Sequence, residues 1–195
     1  MAQLMRLNFR ANLVNAYPET WKHSIKVPAS LHPAVPILII HKNPYTWVES
    51  LCFRNRVDWC SGQKNYPCGA KGGTDEIMVN GINIVSLAKA YRDFIHTWVE
   101  SQNHVTIRYE DLLIEENRLV ALDRIGRKFS FKHTKPTWTN VAPGNVPQSK
   151  DYNEMREKYY IEGFPTNLED FQTAKITEVI GADNIAVLGY TPLFA

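Results

Sequence analysis

The chain has 195 residues, of which 44% are hydrophobic, 22% charged and 11% aromatic. This composition argues against a disordered chain, a collagen, a coiled coil and a disulfide knot, and the length predicts one domain over residues 1–195 that needs no disulfide or metal to hold its core. A formal net charge of only +2 disfavours a general nucleic-acid or membrane-surface binder but is compatible with a local basic pocket for a small anion.

The N-terminal residues have the pattern of an amphipathic helix over 1–10, with Leu4, Met5 and Phe9 on one side. They contain no secretory hydrophobic segment or cleavage site. The longest apolar run, 35–40, is too short to span a bilayer. We therefore expect a cytoplasmic protein without a membrane segment.

The run VPILIIH, residues 35–41, predicts a strand buried on both faces. Pro44 stands where a helix can begin, because proline is tolerated in the first turn. Residues 58–82 contain five glycines together with Pro, Asn and Asp, which predicts a long loop. Such a loop could be a lid over a site, an acceptor-site insertion or a variable surface insertion.

The second half continues the alternation of helices and strands. Apolar spacing predicts a helix over 83–102, and HVTIRY, 104–109, predicts a strand. We expect Glu110 and Asp111 to lie at the positive N-terminal end of the next helix. Shorter helices are predicted near 151–160 and near 167–181, the second ending at Gly181. This order is typical of an α/β fold with a parallel sheet.

The cysteine pattern matches no zinc finger or ribbon. The chain has three cysteines, Cys52, Cys60 and Cys68, with two equal spacings. Because the count is odd and no signal peptide is visible, free thiols in a reducing compartment are favoured. A Cys60–Cys68 bridge is the alternative.

Three segments carry candidate functional residues. Lys42 follows the first strand and Ser50 lies eight positions later, so that a cation and a hydroxyl could hold one phosphate at the carboxyl edge of the sheet. His23, beside Lys22, could act as a general base. Tyr109 ends the second strand and could contact the same ligand. Each segment also has a purely structural alternative. For Lys42 and Ser50 it is a solvated lysine and a helix serine, and for Lys22 and His23 it is an exposed polar turn. For the segment of Tyr109 it is helix capping by the carboxylates together with core packing.

Together these segments resemble the sulfotransferase family that uses 3′-phosphoadenosine 5′-phosphosulfate (PAPS). A Lys-His pair precedes a strand, KNPYTWVES follows that strand, IRYEDLL ends the next strand, and Leu-Gly-Tyr follows the last helix. The resemblance covers roughly residues 1–125 and 165–191. It implies an α/β fold with a three-layer parallel sheet of the P-loop nucleotide-binding type.

The resemblance also implies roles for single residues. Lys42 and Ser50 match the Arg and Ser that hold the 3′-phosphate, although lysine keeps only a point charge where arginine binds bidentately. Tyr109 matches the tyrosine near the adenine, and His23 matches the catalytic base. Lys22 matches the lysine at the sulfuryl group less well, because it stands one residue before the histidine and not two.

The family's first strand and its Gly-rich phosphate loop have no counterpart in this sequence, so we expect a chain truncated at its N-terminus, inactive if it is complete. The expected reaction transfers a sulfuryl group from PAPS to a hydroxyl or amine of a small-molecule or glycan acceptor, with no metal. The loop 58–82 would shape the acceptor site. A non-catalytic remnant or nucleotide-binding module, and a kinase-like phosphoryl-transfer enzyme, are the alternative interpretations.

Overall fold

The computed structural model describes Met5, Phe9, His32 and residues 34–53, 76–99, 103–134 and 166–194. The chain divides into two compact units, each built from two separate stretches of sequence. Unit 1 combines Met1–His41 with Ser101–Phe164, and unit 2 combines Lys42–Glu100 with Pro165–Ala195. The division does not test the single-domain prediction, which stays a prediction.

Unit 1 contains a small parallel sheet. Strand β1, Ile37–His41, pairs with β4, His104–Arg108, so that Ile37 lies opposite His104 and His41 opposite Arg108. A 3₁₀-helix, Glu110–Leu113, and helix α3, Glu115–Phe129, follow β4. Both predicted strands are confirmed, within two residues at their ends. The prediction that the first strand is buried on both faces is wrong, because Ile40 of β1 is 41% exposed. The parallel pairing and the helices confirm a mixed α/β architecture.

The core of unit 1 forms between β4 and α3. Its buried apolar residues include two from the N-terminal segment, and they are Met5, Phe9, Val105, Ile107, Leu112, Ala121, Leu122 and Ile125. The burial of Met5 and Phe9 agrees with the apolar side predicted for the first residues, whereas Leu4 lies outside the described residues.

Unit 2 contains the remaining elements in chain order. They are helix α1 (Pro44–Phe53), strands β2 (Met78–Val79) and β3 (Ile82–Asn83), helix α2 (Ile84–Phe94), a π-helical turn (Ile95–Val99), helix α4 (Asp170–Ile180) and helix α5 (Ala182–Val187). Helix α2 packs against both α1 and α4. The helix predicted to end at Gly181 is confirmed, with Gly181 as its C-cap.

The end of the predicted loop is a β-hairpin. β2 and β3 pair antiparallel around Asn80 and Gly81, which both have positive φ angles of 50° and 78°, as the tight hairpin turn formed by Asn-Gly requires. Asn83 then caps α2, because its Oδ1 accepts from the N–H groups of Val85 and Ser86 at 3.0 and 3.3 Å. Residues 58–75 of the predicted loop lie outside the described residues, as does the helix predicted near 151–160.

The helix after β4 begins later than expected. Glu110 and Asp111 lie in the 3₁₀-helix, and α3 starts only at Glu115, after the extended residue Ile114. The carboxylate of Asp111 is instead paired with Arg108. The prediction that Glu110 and Asp111 begin the long helix is therefore wrong.

No helix within the described ranges has the length and apolar character needed to cross a membrane.

Candidate functional site

The turn between β1 and α1 is fixed by Asn43. Its Oδ1 accepts hydrogen bonds from the N–H groups of Tyr45 and Thr46 at 3.0 and 3.4 Å, and its backbone carbonyl accepts from the N–H of Trp47 at 2.8 Å. Asn43 is buried, and Pro44 occupies the first helical position, where its missing N–H costs nothing. The predicted start of this helix is confirmed.

Lys42 and Ser50 both bond to the backbone of α1. The Nζ of Lys42 donates to the carbonyl of Thr46 at 3.3 Å, and the Oγ of Ser50 donates to the carbonyl of Trp47 at 2.8 Å. Both side chains are half-buried. Because Thr46 and Trp47 are consecutive, the ammonium and the hydroxyl lie on neighbouring peptide groups of the same helix. A cation and a hydroxyl in this arrangement can both contact one phosphate group.

Tyr91 of α2 holds the backbone of Lys42. Its hydroxyl donates to the Lys42 carbonyl at 2.5 Å, and its ring packs against Trp47 and Phe94 at centroid distances of 5.3 and 6.1 Å. The helical spacing of α2 predicts Tyr91 as a core residue, which its burial supports. Nothing in the local sequence indicates the bond made by its hydroxyl.

Glu49 anchors α1 to the segment that leads into α4. Its Oε1 accepts hydrogen bonds from the backbone N–H of Asn167, at 3.3 Å, and from the Nδ2 of the same residue. Cys52 lies one turn further along α1 and is buried. Burial, with a smaller contribution from the Glu49 carboxylate, raises the pKa of the Cys52 thiol to about 12.

In unit 1, polar residues collect where β1 and β4 end. The N–H of Tyr109 donates to the carbonyl of His41 at 2.7 Å. Arg108 binds the Asp111 carboxylate through Nε at 2.9 Å and through Nη2 at 2.7 Å. His41 is buried, and burial is the main reason why its pKa is lowered to about 4; Arg108 and Arg124 lower it further, and Asp111 opposes them.

The candidate residues from the sequence therefore fall into three groups. Lys42 and Ser50 lie together on the β1–α1 turn and α1 of unit 2. Tyr109 lies in unit 1, at the end of β4. Lys22 and His23 lie outside the described residues, so their predicted roles stay predictions.

The sequence interpretation did not select Tyr91, His41 or the Arg108–Asp111 pair. Of these, only the pair has a local signal, because an arginine and an aspartate three residues apart at a strand end can meet. The role of Tyr91 depends on a residue 49 positions away, and the charged residues that act on His41, Arg108, Asp111 and Arg124, are all more than 60 positions away from it.

No protein-family model matches this chain, and no curated protein or solved structure is significantly similar to it. The resemblance to the sulfotransferases therefore rests on the motifs of the sequence.

Proposed function

We propose that the protein is a sulfotransferase that uses PAPS, and that Lys42 and Ser50 bind the 3′-phosphate of this donor. The observation that carries the proposal is the placement of the Lys42 ammonium and the Ser50 hydroxyl on consecutive carbonyls of α1, directly after a parallel strand. Ligands of α/β proteins bind beyond the carboxyl ends of such strands.

The hydrogen bonds of α1 support a phosphate site made of side chains. The N-terminus of a helix often binds phosphate through its unpaired N–H groups. Here Pro44 has no N–H, Tyr45 and Thr46 donate to the Asn43 side chain, and Trp47 donates to the Asn43 carbonyl. Recognition of an anion at this turn therefore falls to the side chains of Lys42 and Ser50.

A bound phosphate would replace two hydrogen bonds of the free protein. Lys42 would exchange the Thr46 carbonyl for a phosphate oxygen, and Ser50 would exchange the Trp47 carbonyl. Bonds from a charged donor to a charged acceptor are stronger than bonds to a neutral carbonyl, so the exchange favours binding.

The remaining parts of the proposal come from the sequence motifs. The fold would be the three-layer P-loop type, with Tyr109 near the adenine. The acceptor would be a hydroxyl or an amine of a small molecule or glycan. His23 would remove the proton from this acceptor as the acceptor's oxygen or nitrogen attacks the sulfur. Lys22 would stabilise the charge that moves to the departing phosphate. A cytoplasmic location and a site with neither metal nor nucleic acid belong to the same proposal.

Calorimetry with adenosine 3′,5′-bisphosphate, the product of PAPS, tests the binding site. Removing one hydrogen bond made by a charged group costs about 1.5–3 kcal/mol of binding free energy, so Lys42→Ala should weaken binding roughly 10- to 150-fold. Ser50→Ala should have a smaller effect, of about two- to tenfold, because it removes a neutral donor. Lys89→Ala, an exposed lysine of α2, is the matched control. Adenosine 5′-phosphate, which lacks the 3′-phosphate, should bind equally to wild type and Lys42→Ala.

Two results would contradict the proposal. One is wild-type protein that does not bind adenosine 3′,5′-bisphosphate. The other is binding that Lys42→Ala and Lys89→Ala weaken to the same extent.

A further inference from the structure

The hydroxyl of Tyr91 joins α2 to the backbone between β1 and α1. Tyr91 is only 4% exposed, and its hydroxyl donates to the carbonyl of Lys42. A buried tyrosine hydroxyl requires a hydrogen-bond partner, and so does a backbone carbonyl at the end of a strand. The contact satisfies both groups within unit 2.

The peptide group between Lys42 and Asn43 is therefore held on both sides. Tyr91 bonds to its carbonyl, and the Asn43 side chain that follows is fixed by its two bonds to the start of α1. The backbone conformation at a residue determines the direction in which its side chain leaves the chain. The path of the Lys42 side chain along α1, toward the Thr46 carbonyl, thus depends on a fixed peptide plane.

The aromatic ring of Tyr91 has a separate role from its hydroxyl. The ring packs against Trp47 at 5.3 Å, and phenylalanine would keep this packing. Only the hydroxyl reaches the Lys42 carbonyl. The two roles can therefore be separated by a single substitution.

We propose that Tyr91 is a positioning residue, whose hydroxyl sets the Lys42 ammonium beside Ser50 for phosphate binding. The ligand in this statement rests on the proposed function, whereas the effect of Tyr91 on Lys42 is a property of the free protein. Tyr91 itself does not contact the phosphate.

A double-mutant cycle separates positioning from general stabilisation. The variants are Tyr91→Phe, Lys42→Ala and both together, with adenosine 3′,5′-bisphosphate as ligand. A neutral hydrogen bond contributes about 0.5–1.5 kcal/mol, so Tyr91→Phe should weaken binding roughly two- to tenfold when Lys42 is present. It should have no effect in the Lys42→Ala background. Equal weakening in both backgrounds, or none in either, would overturn the proposal.

Tyr45→Phe is the matched control. Tyr45 is also a buried tyrosine of unit 2, and its hydroxyl bonds to Thr177 and Leu193 and not to Lys42. It should lose folding stability without losing affinity for the bisphosphate. If Tyr45→Phe weakens binding as much as Tyr91→Phe, the effect is one of stability and the positioning role is wrong.

A second measurement needs no nucleotide. The rate at which an N-hydroxysuccinimide ester acylates Lys42, followed by mass spectrometry, should rise several-fold in Tyr91→Phe, because the amine is released from the Thr46 carbonyl. Lys89 in the same sample should react at an unchanged rate. If wild type does not bind the bisphosphate, the proposed function fails, and this rate alone decides on Tyr91: an unchanged Lys42 rate refutes its positioning role, and a selective increase supports it.

Discussion

The hydroxyl of Tyr45 in α1 lies 2.7 Å from the Oγ1 of Thr177 in α4. It also accepts a hydrogen bond from the N–H of Leu193 at 2.8 Å. The one proton of Thr177 has two carbonyls to bond, those of Thr173 and Leu193, so Tyr45 is the donor in its bond to Thr177. This network ties α1, α4 and the segment that follows α5 together inside unit 2.

We expect Tyr45→Phe to destabilise the fold by about 1–3 kcal/mol, because it leaves the Leu193 N–H and the Thr177 hydroxyl without their shared partner. The free energy of unfolding in urea measures the effect. Thr177→Val should cost a similar amount, and the double variant should cost less than the sum of the two, since both remove the same bond. Additive losses would show that the two groups act independently.

The stability of the protein should depend on pH through His41. Burial lowers the pKa of His41 in the folded chain to about 4, against 6.5 in an unfolded chain. Between these two values the unfolded state holds the proton, so the free energy of unfolding falls as the pH falls. The loss between pH 7 and pH 5 is about 2 kcal/mol. Urea unfolding at the two pH values measures it.

His41→Asn isolates this contribution. The free energy of unfolding should change less between pH 7 and pH 5 in the variant than in wild type, because the imidazole that takes up the proton is gone. The charges around position 41, those of Arg108, Asp111 and Arg124, are unchanged. Equal pH differences in wild type and variant would show that the folded-state pKa of His41 is not lowered.

The Cys52 thiol should be inert in the folded protein. With its pKa raised to about 12 and its side chain buried, it carries almost no thiolate at pH 8, and the thiolate is the reactive form. In a variant with Cys60→Ser and Cys68→Ser, an aromatic disulfide reagent should react with Cys52 only after denaturant is added. Complete reaction within minutes in buffer alone would contradict this expectation.

Gly126 is required by the aromatic ring of Phe9. A Cβ atom at Gly126 would lie 3.1 Å from the Cε1 of Phe9, whose ring is itself packed against those of Phe131 and His133. Alanine is favoured over glycine within a helix by about 1 kcal/mol, yet we expect Gly126→Ala to destabilise the wild type, because the enclosed ring cannot move away. The change in the thermal unfolding temperature shows whether the substitution destabilises or stabilises the protein.

A smaller side chain at position 9 should reverse that sign. In a Phe9→Leu background, Gly126→Ala should raise the stability by up to the propensity difference of about 1 kcal/mol. If the substitution stabilises both backgrounds equally, the ring does not restrict position 126.

Features that depend on neighbouring residues were predictable from the sequence. The start of α1 followed from Pro44, and the end of α4 followed from Gly181. The Asn80–Gly81 pair also carried a usable signal, because this dipeptide favours a hairpin turn. The interpretation of 58–82 as one loop overlooked it, since glycine and asparagine were counted as loop residues.

The beginning of α3 was mispredicted because two interactions compete for Asp111. A carboxylate stabilises a helix N-terminus by a fraction of a kcal/mol at the surface, whereas Arg108 offers two hydrogen bonds to the same carboxylate. The long helix begins at Glu115, after the extended residue Ile114, and Glu115 and Glu116 occupy its first turn.

Contacts between distant residues had no signal in the sequence. Tyr91 and Lys42 are 49 positions apart, and Glu49 and Asn167 are 118 apart. Each pair depends on the packing of two elements whose relative placement no local pattern determines. The sequence thus indicated Lys42 and Ser50 as the candidates for phosphate binding, but not the groups that hold the backbone around them.

The interleaving of the two units constrains how the protein is synthesised. As the chain leaves the ribosome, β1 cannot pair until β4 has been synthesised, and the whole first stretch of unit 2 lies between these two strands. That first stretch in turn cannot bury Tyr45 against Thr177 until the last thirty or so residues have emerged. Nascent chains stalled before residue 165 should therefore expose the apolar side of α1 to chaperones, and neither unit can be produced as an uninterrupted fragment.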